Sequence, residues 1–338
     1  MSQKNPTPKL LNFSTSQMLE IRRYKPTMAD EWNQFVATSK NGTFLFDRRY
    51  MDYHADRFPD HSLVFYRKGR LYALLPATLQ PTGLISHAGL TYGGLITDHR
   101  ATAADVCELL ILLNDYLRQE GIGHVVYRPT PHIYHRLPAE EDLYALTQVC
   151  HARLTARDIS SAIIREPRLP FTESRRSGLR KATAAGMIVG ESSDYEGFWQ
   201  ILTDNLLRHH HTRPVHSIEE ILLLKSRFPD NIRLFTAELN GKAIGGTVVY
   251  ETSQVVHTQY IAASEEGKRL GALDLLFDYL LHNVYADAAC IDFGKSTAGD
   301  SCDLNDRLIF QKEGFGARAV CYDTYEWDIP MDTSTREK

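Results

Sequence analysis

The sequence is poor in cysteine: its 338 residues include five, at Cys107, Cys150, Cys290, Cys302 and Cys321, and none forms a C-x-x-C pair. So odd and scattered a set excludes a disulfide framework and argues against a structural zinc site; it fits a reducing compartment. Long apolar runs are also missing. Stretches such as Leu109–Leu113 fall far short of the roughly 20 residues that cross a bilayer. The opening MSQKNPTPKLLNFSTSQ has no apolar signal core. Positive charge is not in excess either, because the net charge is −4, so no global field is available to hold nucleic acid. These absences predict a soluble, cytoplasmic chain with no membrane span. The apolar content of 43% is ordinary and is enough for about two globular domains at this length.

Residues 1–17 read as a disordered lead-in and 331–338 as a polar tail. The proline-punctuated stretch Glu166-Pro167-Arg168-Leu169-Pro170 is the candidate linker. It gives an N-terminal domain over 18–165 and a C-terminal domain over 166–330. The two look like copies. Strand pairs turn at Gly69 and at Gly241, the latter through Asn240-Gly241, a strong short hairpin signal. In each half a further strand and a Leu-rich amphipathic helix follow, and LLNDYL (112–117) matches LLFDYL (275–280) at five of six positions. Each helix leads into a short β-rich run, HVVYRP or CIDFG. This shared order predicts a duplicated α/β domain.

In the C-terminal half, 232–239, 242–251 and 255–264 read as an antiparallel meander. A helix starting near Gly271 returns the chain to a strand at 290–294. Strand, helix, strand requires a parallel crossover beside the meander. The crossover helix then offers free N–H groups and a positive dipole end to a phosphate. Where neighbouring strands diverge, unpaired backbone N–H groups can hold an oxyanion.

This order resembles the acyl-CoA N-acyltransferase (GNAT) fold and, in its tandem arrangement, the Fem-type and Acetyltransf_6 branch. The segments that carry the likeness are RRSGLRKATAAG (175–186), RHHHTRPVHSIEE (208–220), QYIAAS (259–264), IDFGKST (291–297) and LNDRLIFQKEGFGAR (304–318). The resemblance implies two tandem α/β mixed-sheet domains that move an acyl group to an amine, with acyl-CoA as co-substrate and no metal. It implies a small or nucleotide-sugar acceptor, or one from the bacterial cell envelope. Two alternatives are aminoacyl-tRNA as donor and a non-catalytic GNAT-like binding module. GNAT enzymes carry Q/R-x-x-G-x-G/A at the pyrophosphate loop, whereas this chain has SEEGKRLGALD (264–274), with Gly267 and Gly271 three residues apart.

Candidate residues follow. Three consecutive histidines, 209–211, cannot all face one metal from a helix. His216 follows a proline turn and could accept the proton an attacking amine must lose, or it could serve the start of the next helix, where Ser217 is a good cap. Tyr260 ends the strand that would line the acyl pocket and could protonate a departing thiolate. Asp292 and Lys295 stand at a strand end, where Asp292 could orient the amine and Lys295 could neutralise an oxyanion. Gly267, Lys268, Arg269, Gly271 and Ala272 form the expected cofactor loop. Arg176 and Arg180 share a face on a helix opened by Ser174, and with Lys181 and Arg213 they suit a substrate phosphate. Asn305 could cap a helix or bind ligand. Lys312 is a further substrate-binding candidate, or a solvated residue near a helix C-terminus. Gly89, Gly93 and Gly94 point to close backbone approach.

Overall fold

The computed structural model describes residues 19–298 and 302–331. The lead-in expected at 1–17 and the tail at 331–338 lie, but for residue 331, outside that range. The N-terminal half begins β1 (Leu19–Arg23), α1 (Ala29–Thr38), α2 (Arg48–Met51), β2 (Leu63–Arg67) and β3 (Arg70–Leu75). It continues through β4 (Thr78–Gln80), β5 (Gly83–Ile85), β6 (Ile96–Thr97), α3 (Ala103–Gln119), β7 (His124–Tyr127) and α4 (Glu141–Gln148). A long strand, β8 (Arg153–Ile164), leads to α5 (Glu173–Ala184), β9 (Ile188–Ser192), α6 (Tyr195–His210) and α7 (Ile218–Arg227). The meander β10 (Ile232–Leu239), β11 (Lys242–Glu251) and β12 (Val255–Ala263) precedes α8 (Glu265–Leu270), α9 (Ala272–Tyr279) and β13 (Cys290–Lys295). The chain closes with β14 (Thr297–Ala298), β15 (Asp303–Leu304), α10 (Asp306–Glu313) and β16 (Arg318–Asp328).

Local sequence explains most of these elements. Lys68-Gly69 and Asn240-Gly241 all have positive φ, the signature of the two-residue turn whose twist matches a hairpin. In α3, Val106, Leu109, Leu110, Leu113 and Leu117 are buried, which is the stripe that a 3.6-residue period lays along one face. Capping boxes start α3 (Thr102 with Asp105) and α7 (Ser217 with Glu220), satisfying N–H groups that a helix start leaves open. The order hairpin, strand, helix, strand recurs as β2-β3-β6-α3-β7 and β10-β11-β12-α9-β13.

The mixed α/β sheets are present, and their junction is the part that sequence reasoning did not reach. A ten-stranded sheet runs β4-β5-β7-β16-β8-β13-β12-β11-β10-β9, beside a four-stranded sheet β1-β2-β3-β6. The last long strand, β16, is antiparallel both to β7 of the first half and to β8, and β8 pairs in turn with β13 of the second half. The expected division after residue 165 therefore falls just beyond a strand that serves both halves. One apolar cluster likewise joins Trp32, Phe46 and Tyr134 to Phe198, Leu224 and Tyr250. In the first half, β6 and β7 lie in different sheets. The gap between them is bridged by Tyr127, whose hydroxyl accepts from Leu95 N at 2.7 Å and donates to Asp142 at 2.7 Å. Gly93 and Gly94 lie here: Gly93 N donates to Arg128 O at 2.7 Å, and a Cβ on Gly94 would stand 2.8 Å from the Tyr127 hydroxyl. These are the close approaches expected of them.

Candidate active site

β12 and β13 are parallel over three rungs only, Val255 to His257 against Cys290 to Asp292. Beyond that point they diverge, for two local reasons. β12 carries a bulge: Tyr260 pairs with Val248 and Thr258 with Val249, leaving Gln259 unmatched. β13 turns at Gly294, whose φ of +74° needs a glycine, and its register against β8 shifts between Asp292 and Lys295. Such bulges redirect a strand at the cost of ladder hydrogen bonds. A cavity of about 640 Å³ opens beside the divergence, with Ile261, Leu273, Phe277, Phe293 and Phe315 among its lining residues.

Lys312, on α10, reaches into this cavity. It is 5% exposed, so the solvated reading does not hold. Its ammonium donates to Gly294 O at 2.8 Å and Lys295 O at 2.7 Å, carbonyls of the segment that bends away from β12. Burial pushes its pKa down to about 8, against an upward pull from Asp292. A buried ammonium thus stands at a cavity whose wall combines Phe277, Phe293 and Phe315 with Lys268, Arg307 and His209.

His216 and Tyr260 come together on the face of β12 turned toward α6 and α7. Tyr260 accepts from the backbone N of His216 at 3.2 Å, and its hydroxyl meets His216 Nδ1. The backbone N–H of His216 and its Nδ1 thus converge on one hydroxyl. Burial lowers His216 to about 4 and raises Tyr260 to about 12. The proton-acceptor role expected of His216 does not suit this geometry: Nδ1 is engaged and the ring resists charge. Ser217 caps α7, so the capping alternative for His216 falls as well. Arg213 lies with His216 on a neighbouring groove of about 630 Å³ that also includes Trp199, Arg57 and Glu220.

Asp292 is wholly buried. Its carboxylate accepts from His257 Nδ1 at 2.8 Å, Tyr322 at 2.7 Å, Tyr134 at 2.9 Å and the Ser160 hydroxyl. Burial alone would raise its pKa, but these bonds, that from His257 foremost, hold it down at about 2. Such a carboxylate orients its donors and has no face left for an amine. Lys295 pairs with Asp158 at 2.6 Å and lies over the Tyr322 ring. Its charge is matched there, and it is Lys312, not Lys295, that lines the cavity. His257, Tyr134, Tyr322 and Ser160 were not anticipated. A polar His inside the apolar strand VVHTQYIAA was the one available signal; the others carried none.

Residues 172–301 match the family described as "Acetyltransferase (GNAT) domain". That stretch is a GNAT-type domain. Among solved structures, the chain is similar to FemX (TM-score 0.64, 12% identity, covering 91% of this chain and 97% of that one). It is also similar to the C-terminal domain of a putative lysylphosphatidylglycerol synthetase from Agrobacterium fabrum (0.58, 13%, 88% and 92%). A third is L-PGS from Bacillus licheniformis (0.58, 10%, 92% and 94%). At these identities the likeness is one of fold. No curated protein matches.

The GNAT domain departs from expectation at its phosphate loop. Gly267, Lys268 and Arg269 lie in α8, which ends at Gly271 with φ +82°, and α9 starts at Ala272. Helix α5 packs on that start: a Cβ on Gly271 would overlap Gly178 O, and one on Gly178 would overlap the Asp274 carboxylate. Asp274, in the first turn of α9, pairs with Arg175 at 2.9 Å. A carboxylate and a helix therefore already answer this dipole. Lys268 and Arg269 face Glu265 and Glu266. Arg176 and Arg180 do share a face, but both bond Glu173 and are exposed. Their helix is capped at Thr172, not Ser174. Lys181 sits near enough to Asp274 to act on it electrostatically. Asn305 caps α10, accepting from Leu308 N at 3.1 Å, and also lines the cavity. Among the described residues no group of His, Cys, Asp or Glu has the arrangement of a metal site, and no helix is long and apolar enough to cross a membrane.

Proposed function

We propose that this protein transfers an acyl group to an amine, with the donor's acyl carbonyl at the β12/β13 divergence and the amine arriving from the side of His216 and Tyr260. The observation that carries the reading is a buried ammonium, Lys312, at the cavity beside that divergence, whose lining joins aromatic and basic side chains. The amine nitrogen attacks the carbonyl carbon and a C–N bond forms. The C–S bond of a thioester, or the C–O bond of an ester, breaks, and the leaving group takes a proton. Lys312 supports the oxyanion, and its lowered pKa suits it to supply that proton.

Acyl-CoA is the proposed donor. Lys268, Arg307 and His209 line the cavity and would meet its phosphates, since the start of α9 is covered. The acceptor would be a small amine or one on a nucleotide-sugar or envelope precursor, which fold alone does not fix. A second reading is favoured by one observation, the α5 cover on the phosphate loop: the donor is an aminoacyl ester such as aminoacyl-tRNA.

Thermal melts with CoA, acetyl-CoA and longer acyl-CoAs test the choice. A donor bound at about 100 times its Kd adds about 2.7 kcal/mol, a clear rise in Tm. A flat response at millimolar CoA removes the thioester and leaves the aminoacyl ester, checked by transfer from charged tRNA.

A further inference from the structure

His257 stands on the last rung shared by β12 and β13, opposite Asp292. It is therefore at the vertex of the cleft in which the acyl carbonyl is placed. Its Nδ1 is held at 2.8 Å by a carboxylate that is itself wholly buried and fixed by Tyr134, Tyr322 and Ser160. The other ring nitrogen, Nε2, has no protein partner among the described residues and is not sealed from solvent. The same edge of the ring lies against Gly294: a Cβ there would stand 3.1 Å from Cε1 and 3.7 Å from Nε2. Across that glycine is Lys312, bonded to the Gly294 carbonyl.

A carboxylate on Nδ1 fixes the tautomer that leaves Nε2 as an acceptor and stabilises the imidazolium formed when Nε2 takes a proton. His216 differs, because its Nδ1 meets a phenol and not a carboxylate. We infer that His257, positioned by Asp292, is the base that removes the proton from the attacking amine. The inference rests on the acyl-transfer reading above. As the C–N bond forms, one amine proton passes to Nε2. The electrons of the breaking C–S or C–O bond leave with the donor fragment, which takes a proton from the Lys312 ammonium. His257 returns its proton to solvent and Lys312 regains one. The first half of the chain contributes directly, because Tyr134 follows β7 and holds Asp292 from that side.

The titratable groups around the ring are Asp292 on β13, Tyr250 cross-strand on β11, Tyr134, Tyr322 on β16 and, beyond Gly294, Lys312. Thiol release from acetyl- and decanoyl-CoA with a panel of primary amines gives the first readout. His257→Gln is expected to lower kcat/KM about 100-fold or more. It should leave the CoA-induced Tm shift intact. If the wild type turns over and H257Q stays within about threefold of it, the inference falls and the acyl-transfer reading stands. The second readout needs no turnover: nitrogen NMR of histidine-labelled protein should find His257 as the Nδ1–H tautomer, altered in Asp292→Asn. An Nε2–H tautomer overturns the inference by itself. If the wild type transfers nothing from any donor, including charged tRNA, the acyl-transfer reading falls and takes the inference with it.

Discussion

Burial holds several histidines neutral and so shapes how the protein responds to acid. His216, His54 and His61 are each lowered to about 4, and His87 to about 3, chiefly by desolvation. Between about pH 6.5 and 4 the unfolded chain binds protons that the native state refuses, so stability is present above pH 6.5 and is lost as pH falls through that window. Each such histidine contributes a slope of about 1.4 kcal/mol per pH unit there. Urea melts from pH 7 to 4 should record the loss, and His54→Phe, at a site with no exposed surface, should flatten the slope. At the active site, Tyr260→Phe frees His216 Nδ1 and removes the acceptor of its backbone N. The expected result is a rise of about tenfold in KM for the amine, on the order of the roughly 1.4 kcal/mol a hydrogen bond contributes, with donor binding unchanged. Lys312→Met removes the buried ammonium and should lower kcat about 100-fold, the scale of a lost oxyanion donor, as single-turnover kinetics would measure.

At the scale of elements, the contact between α5 and the start of α9 replaces an open phosphate loop. Gly271 lets two backbones meet, since a Cβ there would overlap the main chain of Gly178, and a Cβ on Gly178 would displace the Asp274 carboxylate. Gly271→Ala combines strain at φ +82° with a clash against main chain, and a loss of at least about 2 kcal/mol in urea unfolding is expected. If that variant melted like the wild type, the packing of α5 described above would be wrong. The divergence of β12 from β13 is the other element-scale device. A bulge and one glycine turn end the pairing after three rungs, and so create both the cavity and the open edge of β12.

For the whole molecule, the shared sheet makes the halves depend on each other. Residues 166–331 alone would hold β16 without β7 and β8, and Asp292 without Tyr134 and Ser160. We expect this segment to show no cooperative unfolding transition by circular dichroism, whereas the full chain melts in one. In the first half, Tyr127 bridges the gap between β6 and β7 through Leu95 and Asp142.

Much was legible from local pattern. The glycine turns, the amphipathic helices, the meander, the parallel crossover and the tandem order depend on residues within a few positions of one another, and period and turn chemistry express them directly. Two of the proposed site residues, His216 and Tyr260, were named from sequence and do meet. What only the tertiary structure decided are contacts across 35 to more than 150 positions. His257 reaches Asp292, Tyr134 is 158 residues from its carboxylate partner, and α5 folds over a loop that looked open. Such pairings set whether a Lys is solvated or buried, whether a His accepts or donates, and whether a helix start is free. Charge state and hydrogen-bond direction follow from burial and partners, and a linear chain specifies those only once its strands have found their register.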